Sequence, residues 1–115
     1  MEKSHRLPGW RIPAVLKGTT VRTDSFVMKF VSTEPAQPFR IAIIVPVKIA
    51  KHATKRNRLK RLIREALREK LTSLPNGVDI IIMAQKQFPN AKLQDMKPHI
   101  DKLWEMLPNH MRRNV

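Results

Sequence analysis

The spacing of hydrophobic positions changes several times along this chain, and each change marks an element. Residues 1–9, closing on Pro8-Gly9 with Trp10 next, carry no apolar period and read as a flexible arm. Arg11 to Gly18 reads as a short helix, with Pro13 in its first turn and Gly18 as a left-handed C-terminal stop. From Thr20 to Ser32 the period becomes two: Phe26, Met28 and Phe30 share one face of a strand, and Val27, Lys29 and Val31 share the other. Glu34-Pro35-Ala36-Gln37-Pro38 breaks that strand. The run from Phe39 to Val47 is almost wholly apolar, as in a strand covered on both faces, and is expected to pair antiparallel with the strand before it.

Residues 55–71 place Leu59, Leu62, Ile63, Ala66 and Leu67 at helical spacing, which predicts a helix lying on a core. Leu74-Pro75-Asn76-Gly77 ends it, and Val78 to Ala84 is a short buried strand. A last helix should start near Asp95 and bury Met96, Ile100, Leu103, Trp104 and Leu107. Pro98 is tolerable there if it lies in the first turn, where its missing N–H has no partner to lose. A basic tail, 109–115, follows. The order αββαβα predicts one α+β domain over residues 1–115, a small sandwich of helices against a sheet of about four strands.

Composition adds a partner to this picture. The chain has 23 Lys and Arg against nine acids, a formal charge of +14. Self-repulsion of that size works against a compact state, so it points to a polyanionic partner. Nucleic acid fits better than a membrane, because no apolar run reaches bilayer-spanning length and the first residues lack a signal-peptide core. An acidic lipid surface is the weaker reading. The chain has no cysteine, which excludes disulfides and thiolate metal sites and suits the cytoplasm. Its three glycines are far apart, so there is no glycine-rich phosphate loop. His5, His52, His99 and His110 show no metal-ligand spacing, and no metal site or small-molecule cofactor is expected.

The charge is concentrated. Between Arg40 and Lys70 stand eleven Lys or Arg residues and two acids, a local balance of +9. At 100° per residue, Asn57, Arg61, Arg64 and Arg68 form a stripe opposite the apolar face, with Arg56 and Lys60 on one flank and Arg58, Glu65 and Glu69 on the other. The plain reading is the wet side of an amphipathic helix. Two features oppose it. A solvated face gains from mixed signs at i,i+4, yet Arg61, Arg64 and Arg68 are like-charged neighbours. Lys55, Arg56 and Arg58 also crowd the helix N-terminus, where the macrodipole disfavours cations. Local rules broken together, with no folding gain, mark a functional surface. Arginine suits bidentate phosphate contacts, and Asn57 adds a donor–acceptor for a base edge or a 2′-hydroxyl.

The run Lys55-Arg56-Asn57-Arg58-Leu59-Lys60-Arg61-Leu62-Ile63-Arg64-Glu65-Ala66 resembles the RNR signature of the bacterial ribonuclease P protein component. Its surroundings match: an arginine-led strand from Arg40, the basic turn Lys48-Ile49-Ala50-Lys51, then Asp79 to Lys86, and Ile100, Leu103 and Trp104 in a last helix. The resemblance implies a fold related to the second domain of a small-subunit ribosomal protein, with a left-handed β-α-β crossover around the signature helix. It also implies a protein that binds the catalytic RNA of ribonuclease P and the 5′ leader of precursor tRNA, while the RNA holds the magnesium (Mg2+) and performs the cleavage. The RNA contacts implied are Lys48, Lys51, Lys55, Arg56, Asn57, Arg58, Lys60, Arg61, Arg64 and Arg68, and the leader cleft is Ile12, Leu16 and Lys29. The family often has aromatics at the cleft positions, so here the resemblance implies apolar packing and a phosphate contact from Lys29. Ala50, Pro46 and Gln85 also depart from the family's usual residues, and one residue is inserted near His52.

No catalytic residue is expected in the protein itself. A two-metal nuclease needs clustered carboxylates, and the nine acids are scattered. Two other classes share the basic helix. A ribosome-associated structural protein would co-sediment with ribosomal subunits. A DNA-binding regulator would need a helix a short turn before the basic one, and the sequence has none there.

Overall fold

The computed structural model describes residues 5–111. Its frame is a four-stranded sheet in the order β1-β2-β4-β3, made of β1 (Thr19–Arg22), β2 (Phe26–Ser32), β3 (Arg40–Ile44) and β4 (Val78–Ala84). β4 pairs antiparallel with β2 and parallel with β3. This central place explains its composition: Val78-Asp79-Ile80-Ile81-Ile82-Met83-Ala84 is covered on both faces, and all but Met83 are buried.

Three helices cover the sheet: α1 (Ile12–Leu16), α2 (Ala53–Leu71) and α3 (Leu93–Glu105). α2 and α3 lie on one face. There Leu59, Ile63 and Leu67 of α2 and Met96, Ile100, Leu103 and Trp104 of α3 pack on Phe26, Met28, Phe30, Ile80 and Ile82, with Leu107 and Met111 closing the cluster. Among the described residues, the opposite face is covered by α1 and the segment before it, where Val15 meets Ile81 and Leu7. Ala42, Ile44 and Met83 on that face are only partly covered, which leaves an apolar trough beside α1.

The expected α+β sandwich and its element order hold, with differences of local and long-range origin. The strand expected over Thr20–Ser32 is two strands, because Thr23 turns the chain. Its hydroxyl accepts from the N–H groups of Ser25 (3.3 Å) and Phe26 (3.1 Å). β2 and β3 do not pair with each other; β4 is inserted between them. The apolar run expected over Phe39–Val47 contributes a strand only from Arg40 to Ile44, at the edge of the sheet, and this edge is partly closed by the N-terminal residues. The arm expected over 1–9 is described from His5 onward, and that part is attached. Arg6 bridges to Ile41, the Leu7 N–H donates to the Ile41 carbonyl (3.1 Å), and the His5 ring stacks on Phe39. Of the expected tail 109–115, Asn109–Met111 form a short 3-10 turn with Met111 buried, and 112–115 lie outside the described residues.

Two single residues also differ from expectation. Gly18 has no left-handed backbone. It is required for closeness instead: a Cβ there would collide with the Phe30 carbonyl and the Val31 side chain of β2. Pro98 lies in the second turn of α3 rather than the first, because the helix starts at Leu93. It forgoes a backbone bond to Gln94 while facing solvent. The left-handed residue that the loop before β4 needs is Gly77, with φ of 77°.

Candidate RNA interface

α2 is amphipathic with an uncompensated N-terminal half. Its first turn holds no acid, and its N-cap, His52, makes no side-chain cap bond. Asn57, Arg61 and Arg64 are exposed, as the 100° spacing requires, and Lys60 is half-buried on the flank. The C-terminal half differs. Arg68 pairs with Glu65 at 3.0 Å, and Lys70 with Asp101 of α3 at 3.1 Å. Cations in the last turn also complement the helix dipole. Arg68 and Lys70 therefore have folding reasons to be where they are. The cations without an acidic partner concentrate toward the start of the helix.

Two signature arginines have structural work as well. Arg56 Nη1 donates to the carbonyls of Ala50 (3.0 Å) and Lys51 (2.9 Å), which ties the turn after β3 to the first turn of α2. Arg58 Nη2 reaches the Ala91 carbonyl at 3.4 Å, toward the loop between β4 and α3. Lys48, Lys51 and Lys55 are exposed around the same end. A cleft of about 400 Å³ opens there, lined by apolar Ile49, Leu59, Leu62 and Phe88 and by Lys51, Lys55 and Arg58. The start of α2 is thus a cationic surface around a partly apolar hollow, suited to holding RNA backbone.

The expected cleft residues are elsewhere. Ile12 is half-buried against the Val15–Ile81 cluster, and Leu16 is exposed on α1. Lys29 stands on the α1 face of β2, its Nζ donating to Thr20 Oγ1 at 2.9 Å. These three border the trough beside α1, across the sheet from α2. The structure therefore gives two surfaces on opposite faces, a cationic helix and an apolar trough.

One constellation was not legible as such in the sequence. Asp79 of β4, with no exposed surface, receives Arg40 Nε (2.8 Å) and Nη2 (2.7 Å), and Arg11 Nε at 2.9 Å. Burial pushes the Asp79 carboxyl up, but the hydrogen bonds and charges of Arg40 and Arg11 outweigh that and hold it below the ordinary value. Arg40 is correspondingly raised, chiefly by its bond to Asp79. Because Arg11 sits at the start of α1 and Arg40 starts β3, this cluster fixes α1 against the sheet and so shapes the trough. An aspartate opening an apolar strand was the available signal; its partners come from 68 and 39 residues away. Among the described residues, no group of three or more His, Asp or Glu is placed to hold a metal ion, and no helix is long and apolar enough to cross a membrane.

Comparison with known proteins agrees with this architecture. The ribonuclease P protein of Staphylococcus aureus superposes with a TM-score of 0.76 at 23% identity, over 90% of this chain and 94% of that one. That of Thermotoga maritima gives 0.73 at 25% identity, over 90% and 98%. In sequence, the chain is 37% identical over 73 residues to the ribonuclease P protein component of Aliivibrio fischeri, covering 64% of this chain and 62% of that protein. It is 38% identical over 87 residues to that of Brevibacillus brevis, covering 74% and 68%. The match spans between half and two thirds of the length of several such relatives. The family model described as Ribonuclease P matches residues 1–108. By sequence and fold alike, this chain belongs to the ribonuclease P protein family.

Proposed function

We propose that this chain is the protein subunit of ribonuclease P, which binds the catalytic RNA and the 5′ leader of precursor tRNA and assists RNA-catalysed removal of the leader in the cytoplasm. The observation that carries this reading is the exposed, acid-free start of α2 within a family-matching fold. Lys48, Lys51, Lys55, Asn57, Lys60, Arg61 and Arg64 contact RNA backbone. Arg56 and Arg58 do so with the donors left over from their bonds to Ala50, Lys51 and Ala91. Arg68 contributes less, since Glu65 already neutralises it. The trough bordered by Ile12, Leu16 and Lys29 takes the leader, with Lys29 against a phosphate.

In this reading magnesium is held by the RNA, and the protein supplies no general acid, base or nucleophile. Its contribution is electrostatic and positional: neutralised phosphates let the RNA fold and bind precursor at lower divalent ion concentration. The test is salt dependence. Arg61→Glu with Arg64→Glu should weaken binding to the catalytic RNA. The slope of log K against log salt should become shallower by about two, near one for each phosphate that is no longer neutralised. Wild-type affinity and slope in that variant would mean the stripe is only a solvated face. Stronger binding to ribosomal RNA than to the catalytic RNA would favour a ribosome-associated role.

A further inference from the structure

We propose that Trp10 is a stacking platform for an unpaired nucleobase of the leader at the mouth of the trough beside α1; this rests on the leader reading above. Trp10 lies in the 3-10 turn Gly9–Arg11 that runs directly into α1, and it is 75% exposed. The other tryptophan, Trp104, is 4% exposed within the core. An indole left this open gains little from folding, so its role lies outside the core.

The turn that carries the ring is anchored by its neighbour. The Arg11 N–H donates to the Pro8 carbonyl at 3.0 Å, and Arg11 Nε is fixed to the buried Asp79 carboxylate at 2.9 Å. The Arg11 guanidinium lies 5.9 Å from the centre of the Trp10 ring. Asp79 shares the α1 face of the sheet with Val31 and Arg40, its register neighbours. The indole is therefore carried at the Asp79 end of the trough. Two guanidiniums against one carboxylate leave net positive charge beside it. An aromatic face next to positive charge matches a single nucleotide, the base on the ring and the phosphate on the cation.

The other aromatic rings are not open on this side. Phe26 and Phe30 are buried under α2 and α3, Phe88 stacks on Phe26, and Phe39 stacks on His5. Ile12, Leu16 and Lys29 offer no π-face. Stacking is tolerant of base identity, which suits a ligand whose sequence varies. A second copy of the chain is a poorer occupant, because it would bring its own +14.

The experiment uses the protein assembled with its catalytic RNA, and compares precursor tRNA carrying a short leader with the same tRNA lacking it. Trp10→Ala and Trp10→Leu should each lower affinity for the leader-bearing tRNA by roughly tenfold. Trp10→Phe should retain most of it, and affinity for the leaderless tRNA should not move. Leader binding should also quench the exposed Trp10 fluorescence, a signal absent from Trp10→Phe because Trp104 is buried. If Trp10→Leu binds the leader as well as wild type, apolar bulk suffices and stacking is overturned. If wild type discriminates the leader and Trp10→Ala does so equally, the platform is overturned while the leader reading stands. If wild type itself does not discriminate, both fail.

Discussion

At Asp79 a carboxylate without exposed surface receives three hydrogen bonds from two arginines on different elements. Removing it strands two guanidiniums at 18% and 23% exposure, enough to recover some water. Asp79→Asn should therefore destabilise by about 3 kcal/mol, the low end for a broken buried pair, read by denaturant unfolding. The pH dependence has a fixed sign. The folded carboxyl lies below its ordinary value of 3.8, so its stabilisation is complete above that value and is lost as pH falls further. His99, paired with Ser25 at 2.6 Å, acts in a higher window. Burial, then Lys86 and Lys102, lower it from 6.5, so its share of stability starts to fall below pH 6.5. Thermal melts should show stability declining as pH falls below about 6.5, a decline that flattens in His99→Gln.

At the scale of the element, α2 carries two classes of arginine that look alike in the sequence. Period and charge were enough to read the helix, its buried face and the stripe, because both follow from 3.6 residues per turn. The division of labour was not readable, since it depends on loops and on α3. Arg56 clamps the turn at Ala50 and Lys51, and Arg56→Ala should cost about 1–2 kcal/mol of stability as those bonds disappear. Arg61→Gln with Arg64→Gln removes like-charge repulsion and should leave stability within about 0.5 kcal/mol of wild type while weakening RNA binding. A stability loss near that of Arg56→Ala would assign the stripe a folding role. Gly18 escapes local spacing for a related reason: its role is set by the approach of β2.

For the whole molecule, the strands and their faces were legible and their neighbours were not. β4 lies between β2 and β3 although it follows both in the chain, and pairing consecutive strands put the wrong edges together. The attachment of His5 to Leu7 along β3 was hidden for the same reason, since a three-residue segment has no period. That topology nevertheless organises the surfaces, with α2 on one face and the α1 trough on the other, and under the proposed function these would hold the catalytic RNA and the leader separately. The most direct test is leader cleavage by the catalytic RNA at a magnesium concentration where the RNA alone is slow. Adding this protein should raise the rate, and Arg61→Glu with Arg64→Glu should remove most of that increase. An unchanged rate on adding folded wild-type protein would contradict the account.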